Sequence, residues 1–87
     1  MGFEYDPEKS TSNKRKHGID FEEAKALFDD PRLLEFDAPS QSEARYVAVG
    51  KLGGKHWAAI FTRRGGAIRL ISVRRARGNE VRIYEGA

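Results

Sequence analysis

The sequence predicts an α+β fold: an antiparallel sheet of about four strands, two N-terminal helices packed on it and a short C-terminal helix. Three observations carry that expectation. Two helix-start signatures, Asp6-Pro7 and Asp20-Phe21-Glu22-Glu23, come early in the chain. Three β-rich runs follow, joined by the pairs Gly53-Gly54 and Gly65-Gly66, and adjacent glycines supply the positive φ that tight hairpin turns need. Asn79 then opens a last short run in which Glu80 and Tyr84 stand one helical turn apart.

Taken in order, Phe3-Glu4-Tyr5 reads as a short opening strand. The first helix runs from Pro7 to Lys16 or His17 and stops at Gly18. From Glu8 through His17 it has no apolar residue, so burial of an apolar stripe cannot hold it. Lys9, Asn13, Lys16 and His17 share one side of the cylinder. Two readings stand: a solvated helix tethered by its neighbours, or a helix presenting Lys16 and His17 to a ligand.

The second helix places Phe21, Ala24, Leu27 and Phe28 on one apolar stripe, with Ile19 as a staple before the cap, and Asp29-Asp30-Pro31 ends it. Leu33 to Phe36 reads as a strand, and Asp37 to Ala44 as a polar connection. The meander then starts at Arg45. If both turns are two-residue loops, Arg45, Thr62 and Arg69 form one polar row, and Val47, Ile60 and Ile71 the next row on that face. Arg74 falls on the opposite face, beside Gly50 and Trp57. One face takes the helices and the other is a ligand floor. Gly86 and Ala87 are expected to fray.

Eighty-seven residues suit a single domain, 1–87. There is no cysteine, which excludes a disulfide framework and thiolate metal sites and suits a reducing cytoplasm. No apolar run approaches a membrane span. The net charge of +3 conceals an asymmetry. Residues 1–44 hold eleven acids and six bases, whereas residues 45–87 hold ten bases and two acids. Trp57 to Arg77 carries six arginines and no acid, a patch suited to a polyanion because the guanidinium fork matches phosphate geometry. An arginine-rich solvated sheet is the plainer alternative.

No metal or other cofactor is expected, since His17 and His56 are isolated and no phosphate-binding or nucleophile motif is present. What remains is cationic, and it suits RNA cleavage in which the substrate's own 2′-hydroxyl attacks the adjacent phosphorus. Such an enzyme has only to orient the strand, neutralise charge on the phosphate and move protons. His17 has the side-chain type for a proton role near neutrality, with Glu80 and Tyr84 as alternatives.

The segments FEYDPEKSTSNKRKHGIDFEEA, RYVAVG and IRLISVRRAR, followed by Glu80 and Tyr84, resemble the BrnT family of toxins. The joint order of N-x-x-K-H-G, F-E-E-A and I-S-x-R-R-A carries the likeness, from Phe3 to Tyr84. Val73 stands where alanine is commoner. The resemblance implies a RelE-like fold and a ribonuclease that halts translation. It also implies a BrnA-like antitoxin of the ribbon-helix-helix class, with DNA bound only through the complex of the two. The shared motifs point to Asn13, Lys16, His17, Arg45, Thr62, Ser72, Arg74, Glu80 and Tyr84. His17, Arg45, Arg74 and Tyr84 are the catalytic candidates; Lys16, Arg63, Arg69 and Arg75 are the RNA-binding ones; Asn13, Thr62, Ser72 and Glu80 are supporting. A non-catalytic module that binds nucleic acid or an antitoxin is the alternative function.

Overall fold

Five strands share one sheet in the computed structural model, which describes residues 2–86: β1 (Gly2–Glu4), β2 (Leu34–Ala38), β3 (Arg45–Leu52), β4 (Lys55–Arg64) and β5 (Ala67–Arg75). Their spatial order is β1-β5-β4-β3-β2. The four antiparallel strands expected from the sequence are β2 to β5. The fifth, β1, makes the sheet mixed, because it lies parallel to β5 with Glu4 beside Arg69. The opening strand expected at Phe3–Tyr5 is thus present one residue earlier, and three residues are too few to reveal its parallel pairing. At the turns, Gly65 and Gly66 have φ of 54° and 85°, as two-residue hairpin loops require.

Helix α1 (Pro7–His17) begins at the Asp6 cap and ends before Gly18, as its sequence predicts. It stays in place without an apolar stripe because two of its polar side chains are buried and bonded to backbone. Ser10 Oγ accepts from the Phe21 amide at 2.9 Å. Asn13 Nδ2 donates to the carbonyls of Ile19 and Val73, both at 2.8 Å, and its Oδ1 accepts from the Val73 amide. Val73 thus finds at the free edge of β5 both hydrogen bonds that another strand would give, and the tethered-helix reading holds.

Helix α2 (Phe21–Ala24) has the full capping box of Asp20 and Glu23, but it is a single turn, continued by a 3₁₀ segment (Lys25–Asp29). Phe21, Ala24 and Leu27 are fully buried with Ala48, Trp57, Ala59, Phe61, Leu70 and Val73. The 3₁₀ segment crosses β3 at Gly50, where a Cβ would sit 3.0 Å from Leu33 Cδ1 and 3.2 Å from Leu27 Cδ2. Helix α3 (Gly78–Glu85) lies on the opposite face, burying Tyr84 with Val47, Val49 and Ala58. Its cap position is Arg77, one residue after which the helix starts, rather than Asn79. Gly86 closes it in a left-handed conformation instead of fraying, and Ala87 is outside the described residues.

The expected register holds from the Gly65-Gly66 turn to Phe61, paired with Leu70. Beyond that it shifts by one, because Ile60 pairs with Ser72 and leaves Ile71 as an extra residue in β5. The shift has a cause in the sequence. Ile68, Leu70 and Val73 all belong to the helix-covered core, and an even-to-odd change of parity needs one residue inserted. Arg74 therefore pairs with Ala58, not Trp57, and changes face.

Candidate functional site

The bulge decides which residues share the face not covered by α1 and α2. One row on it runs Phe36, Val47, Ile60, Ser72, and the next runs Leu34, Val49, Ala58, Arg74. On the other side of the Phe36 row lie Ala38 beside Arg45, Thr62 beside Arg69, and Arg69 beside Glu4. Arg45, Thr62, Arg69, Ser72 and Arg74 thus point to one side of the sheet. The opposite-face placement of Arg45 and Arg74 expected from an unbroken ladder does not occur.

Along the edge of this face, the C-terminal half of α1 forms a cleft with the bulge, lined by Lys9, Ser12, Asn13, Lys16, His17, Ile71 and Ser72. Lys16 and His17 are exposed in the last turn of α1. Among the described residues neither has a carboxylate within ion-pair distance. The tether through Asn13 fixes the helix end that carries them. Arg69 makes one loose pair, Nη1 to Glu4 Oε1 at 3.4 Å. Arg45 is half-buried at the start of β3, and its Nε–H is buried without an acceptor among the described residues. Thr62 is buried, and its hydroxyl donates to the Ala44 carbonyl at 2.6 Å, holding the polar β2–β3 connection against β4.

The other end of the same face is closed by α3 and internally satisfied. Arg74 donates to both carboxylate oxygens of Glu80, at 2.8 and 2.9 Å, and Glu80 also accepts the Arg77 amide at 2.8 Å. Hydrogen bonding from Arg74 holds the Glu80 carboxyl below its usual range despite burial, and the same bond raises Arg74. Tyr84 donates to Asp30 Oδ2 at 2.6 Å, which raises the phenol. His56 Nε2 lies 2.6 Å from Glu85 Oε2, an interaction that lowers Glu85. These contacts tie α3 to the sheet.

Two more candidates fall on the helix-covered face. Arg63 stacks over Tyr46 and Phe61, at 4.8 and 5.2 Å from the ring centroids, and pairs with Glu35 at 2.8 Å. Arg75 lies over Trp57 at 5.5 Å. The structure brings together Lys16, His17, Asn13 and Ser72, with Arg69 and Arg45 on the same face of the sheet, and keeps Arg63 and Arg75 on the opposite face. Lys9 and Ser12 join the cleft unforeseen, although helical spacing already put Lys9 with Lys16. Among the described residues no group of three or more His, Asp or Glu side chains is placed to hold a metal ion, and no helix is long and apolar enough to cross a membrane.

A mixed sheet with α1 and α2 on one face, and arginines beside α3 on the other, defines a small basic α+β domain. The chain belongs to the BrnT family: the family model described as the ribonuclease toxin, BrnT, of type II toxin–antitoxin systems matches residues 5–80. The family implies an RNA substrate and an antitoxin partner. A comparison with curated proteins gives no match.

Proposed function

We propose that the protein is a metal-independent endoribonuclease whose cleavage of RNA halts translation in the cytoplasm. Its toxicity is neutralised by a cognate BrnA-like ribbon-helix-helix antitoxin. The observation that carries this reading is the bulge at Ile71, which turns Ser72 toward the face of Arg69 and Arg45 and sets it against Lys16 and His17.

In the reaction, the substrate 2′-oxygen bonds to phosphorus and the bond from phosphorus to the 5′-oxygen breaks, giving a cyclic phosphate and a free 5′-hydroxyl. The 2′-hydroxyl loses a proton and the leaving oxygen gains one. His17, exposed in the cleft beside Ser72, carries one of these protons. Lys16, in the cleft with Ser72, and Arg69, on the same face of β5, offset the charge that grows on the phosphate. Arg45 lies two strands from β5, about 10 Å across the sheet, and holds a neighbouring phosphate. Arg74 and Tyr84, engaged by Glu80 and Asp30, position α3 rather than touch the strand.

The test is incubation of purified protein with single-stranded RNA in EDTA. Wild type should release fragments ending in cyclic phosphate, and His17→Ala should lose that activity while remaining folded. Salt-sensitive binding with intact RNA, alone and with ribosomes supplied, points instead to a non-catalytic binding module.

A further inference from the structure

The exposed ring at the far end of the Ser72 row bears on how RNA lies across the floor. Phe36 is 37% exposed, and the only other large exposed apolar side chain among the described residues is Ile83 on α3. Its strand neighbours Leu34 and Ala38 pack against the α3-side core, and it pairs with Val47 of that core. The ring therefore emerges on the same face as Arg45, Arg69 and Ser72. Through the strand pairs Val47–Ile60 and Ile60–Ser72 it occupies the same row as the bulge, three strand spacings or about 14 Å away. Arg45, opposite Ala38, is its diagonal neighbour, a relation that separates Cβ atoms by about 7–8 Å.

An aromatic face beside a half-buried guanidinium that has no carboxylate within ion-pair distance among the described residues is a nucleotide subsite in chemical terms. One group offers a stacking surface that any base can use, the other a charge for the adjoining phosphate. The row between them and Ser72 is apolar: Val47 is buried and Ile60 half-buried. That row has no side-chain donors between Phe36 and Ser72 to read base edges, so the strand is gripped at its two ends. We infer that Phe36 and Arg45 form a base-stacking subsite for single-stranded RNA, about 14 Å from the cleavage cleft at Ser72 and His17. The inference rests on the ribonuclease reading for its substrate. A duplex fits poorly, because its bases are stacked on one another and leave no face for Phe36. A protein partner docking on Phe36 is the competing use, and the arginine beside the ring, without a carboxylate partner among the described residues, favours RNA.

The experiment compares wild type with Phe36→Ala, Phe36→Leu and Phe36→Tyr. The first readout is fluorescence-anisotropy binding of a 2′-deoxy-substituted single strand, and the second is steady-state cleavage of the matching RNA. Phe36→Ala should weaken binding about 5- to 100-fold, the range expected for one stacked base, and raise KM with little change in kcat. Phe36→Leu should be impaired similarly, and Phe36→Tyr should restore binding. Circular dichroism melting checks that the variants fold, which the exposure of this side chain favours. Unchanged binding in Phe36→Ala overturns the subsite, including when that variant loses a protein partner. Equal binding by the Leu and Tyr variants also overturns it, because apolar contact alone would then suffice. If binding depends on Phe36 but wild type cuts nothing, the subsite stands and the ribonuclease reading falls.

Discussion

The two ends of the open face carry similar residues and use them in opposite ways. Under α3, Arg74 is met by both oxygens of Glu80, Tyr84 by Asp30 and His56 by Glu85. At the other end Arg45 keeps a buried Nε–H without an acceptor, Arg69 has only a 3.4 Å contact to Glu4, and Lys16 and His17 stand exposed. Both ends hold an arginine and a histidine, and both include residues of the shared motifs. The difference is the local supply of carboxylates. An arginine with a buried acid within reach becomes a strut; one without remains able to take a phosphate. Loose, exposed pairs such as Arg69–Glu4 contribute little to stability and exchange readily for a phosphate.

The comparison breaks most sharply on His17. His17→Ala should lower RNA cleavage by about 100-fold or more while leaving the melting temperature unchanged, whereas Tyr84→Phe should retain most cleavage. Equal losses in both would erase the distinction between the ends. Next in size is Asn13→Ala. It strips partners from the Val73 amide and carbonyl and from the Ile19 carbonyl, and should cost about 2–3 kcal/mol in urea unfolding. It should also depress cleavage in the folded fraction, because the helix end bearing Lys16 and His17 loses its anchor.

Glu80→Ala should destabilise by about 2 kcal/mol, below the cost of opening a wholly buried pair because Arg74 retains some contact with water. Below its melting temperature this variant should still cleave RNA. The closed end also sets the acid response. Glu80, Asp30 and Glu85 are all held below their unfolded values, so the unfolded chain binds protons first as pH falls. Their contribution is complete above the ordinary carboxylate range and is lost as pH drops through the folded values. Urea midpoints should fall on acidification, and Glu80→Gln should flatten that dependence. Smallest is a change of slope. Lys16→Ala should reduce the salt dependence of single-strand binding by about 0.7 in log–log units, the share of one phosphate contact.

Much of the architecture was legible because local chemistry demanded it. The Asp6 and Asp20 caps, Gly18 and the two glycine pairs each satisfy a backbone requirement that few other residues meet. Two features were not read. Phe3-Glu4-Tyr5 reads as a strand, but its parallel pairing with a neighbour sixty-odd positions away has no local signal. The bulge had one, since the adjacent apolar pair Leu70-Ile71 breaks an alternation that resumes at Val73 with the other parity. Missing it put Arg74 on the wrong face and made the basic residues look like two sites on two faces. The pairings of Arg74 with Glu80 and Tyr84 with Asp30 depend on where α3 docks, which no spacing within the motif encodes. Asn13, by contrast, declared itself as a polar residue on a helix with nothing apolar to bury.

The central claim, that RNA lies across the open end of this face, is tested most directly by NMR. A single-stranded RNA blocked at its 2′-hydroxyls is titrated into ¹⁵N-labelled protein. The account predicts perturbations concentrated at Lys16, His17, Phe36, Arg45, Arg69 and Ser72, with Trp57, Arg75, Glu80 and Tyr84 little affected. A map centred on Trp57, Arg75 and Arg77 instead would contradict it.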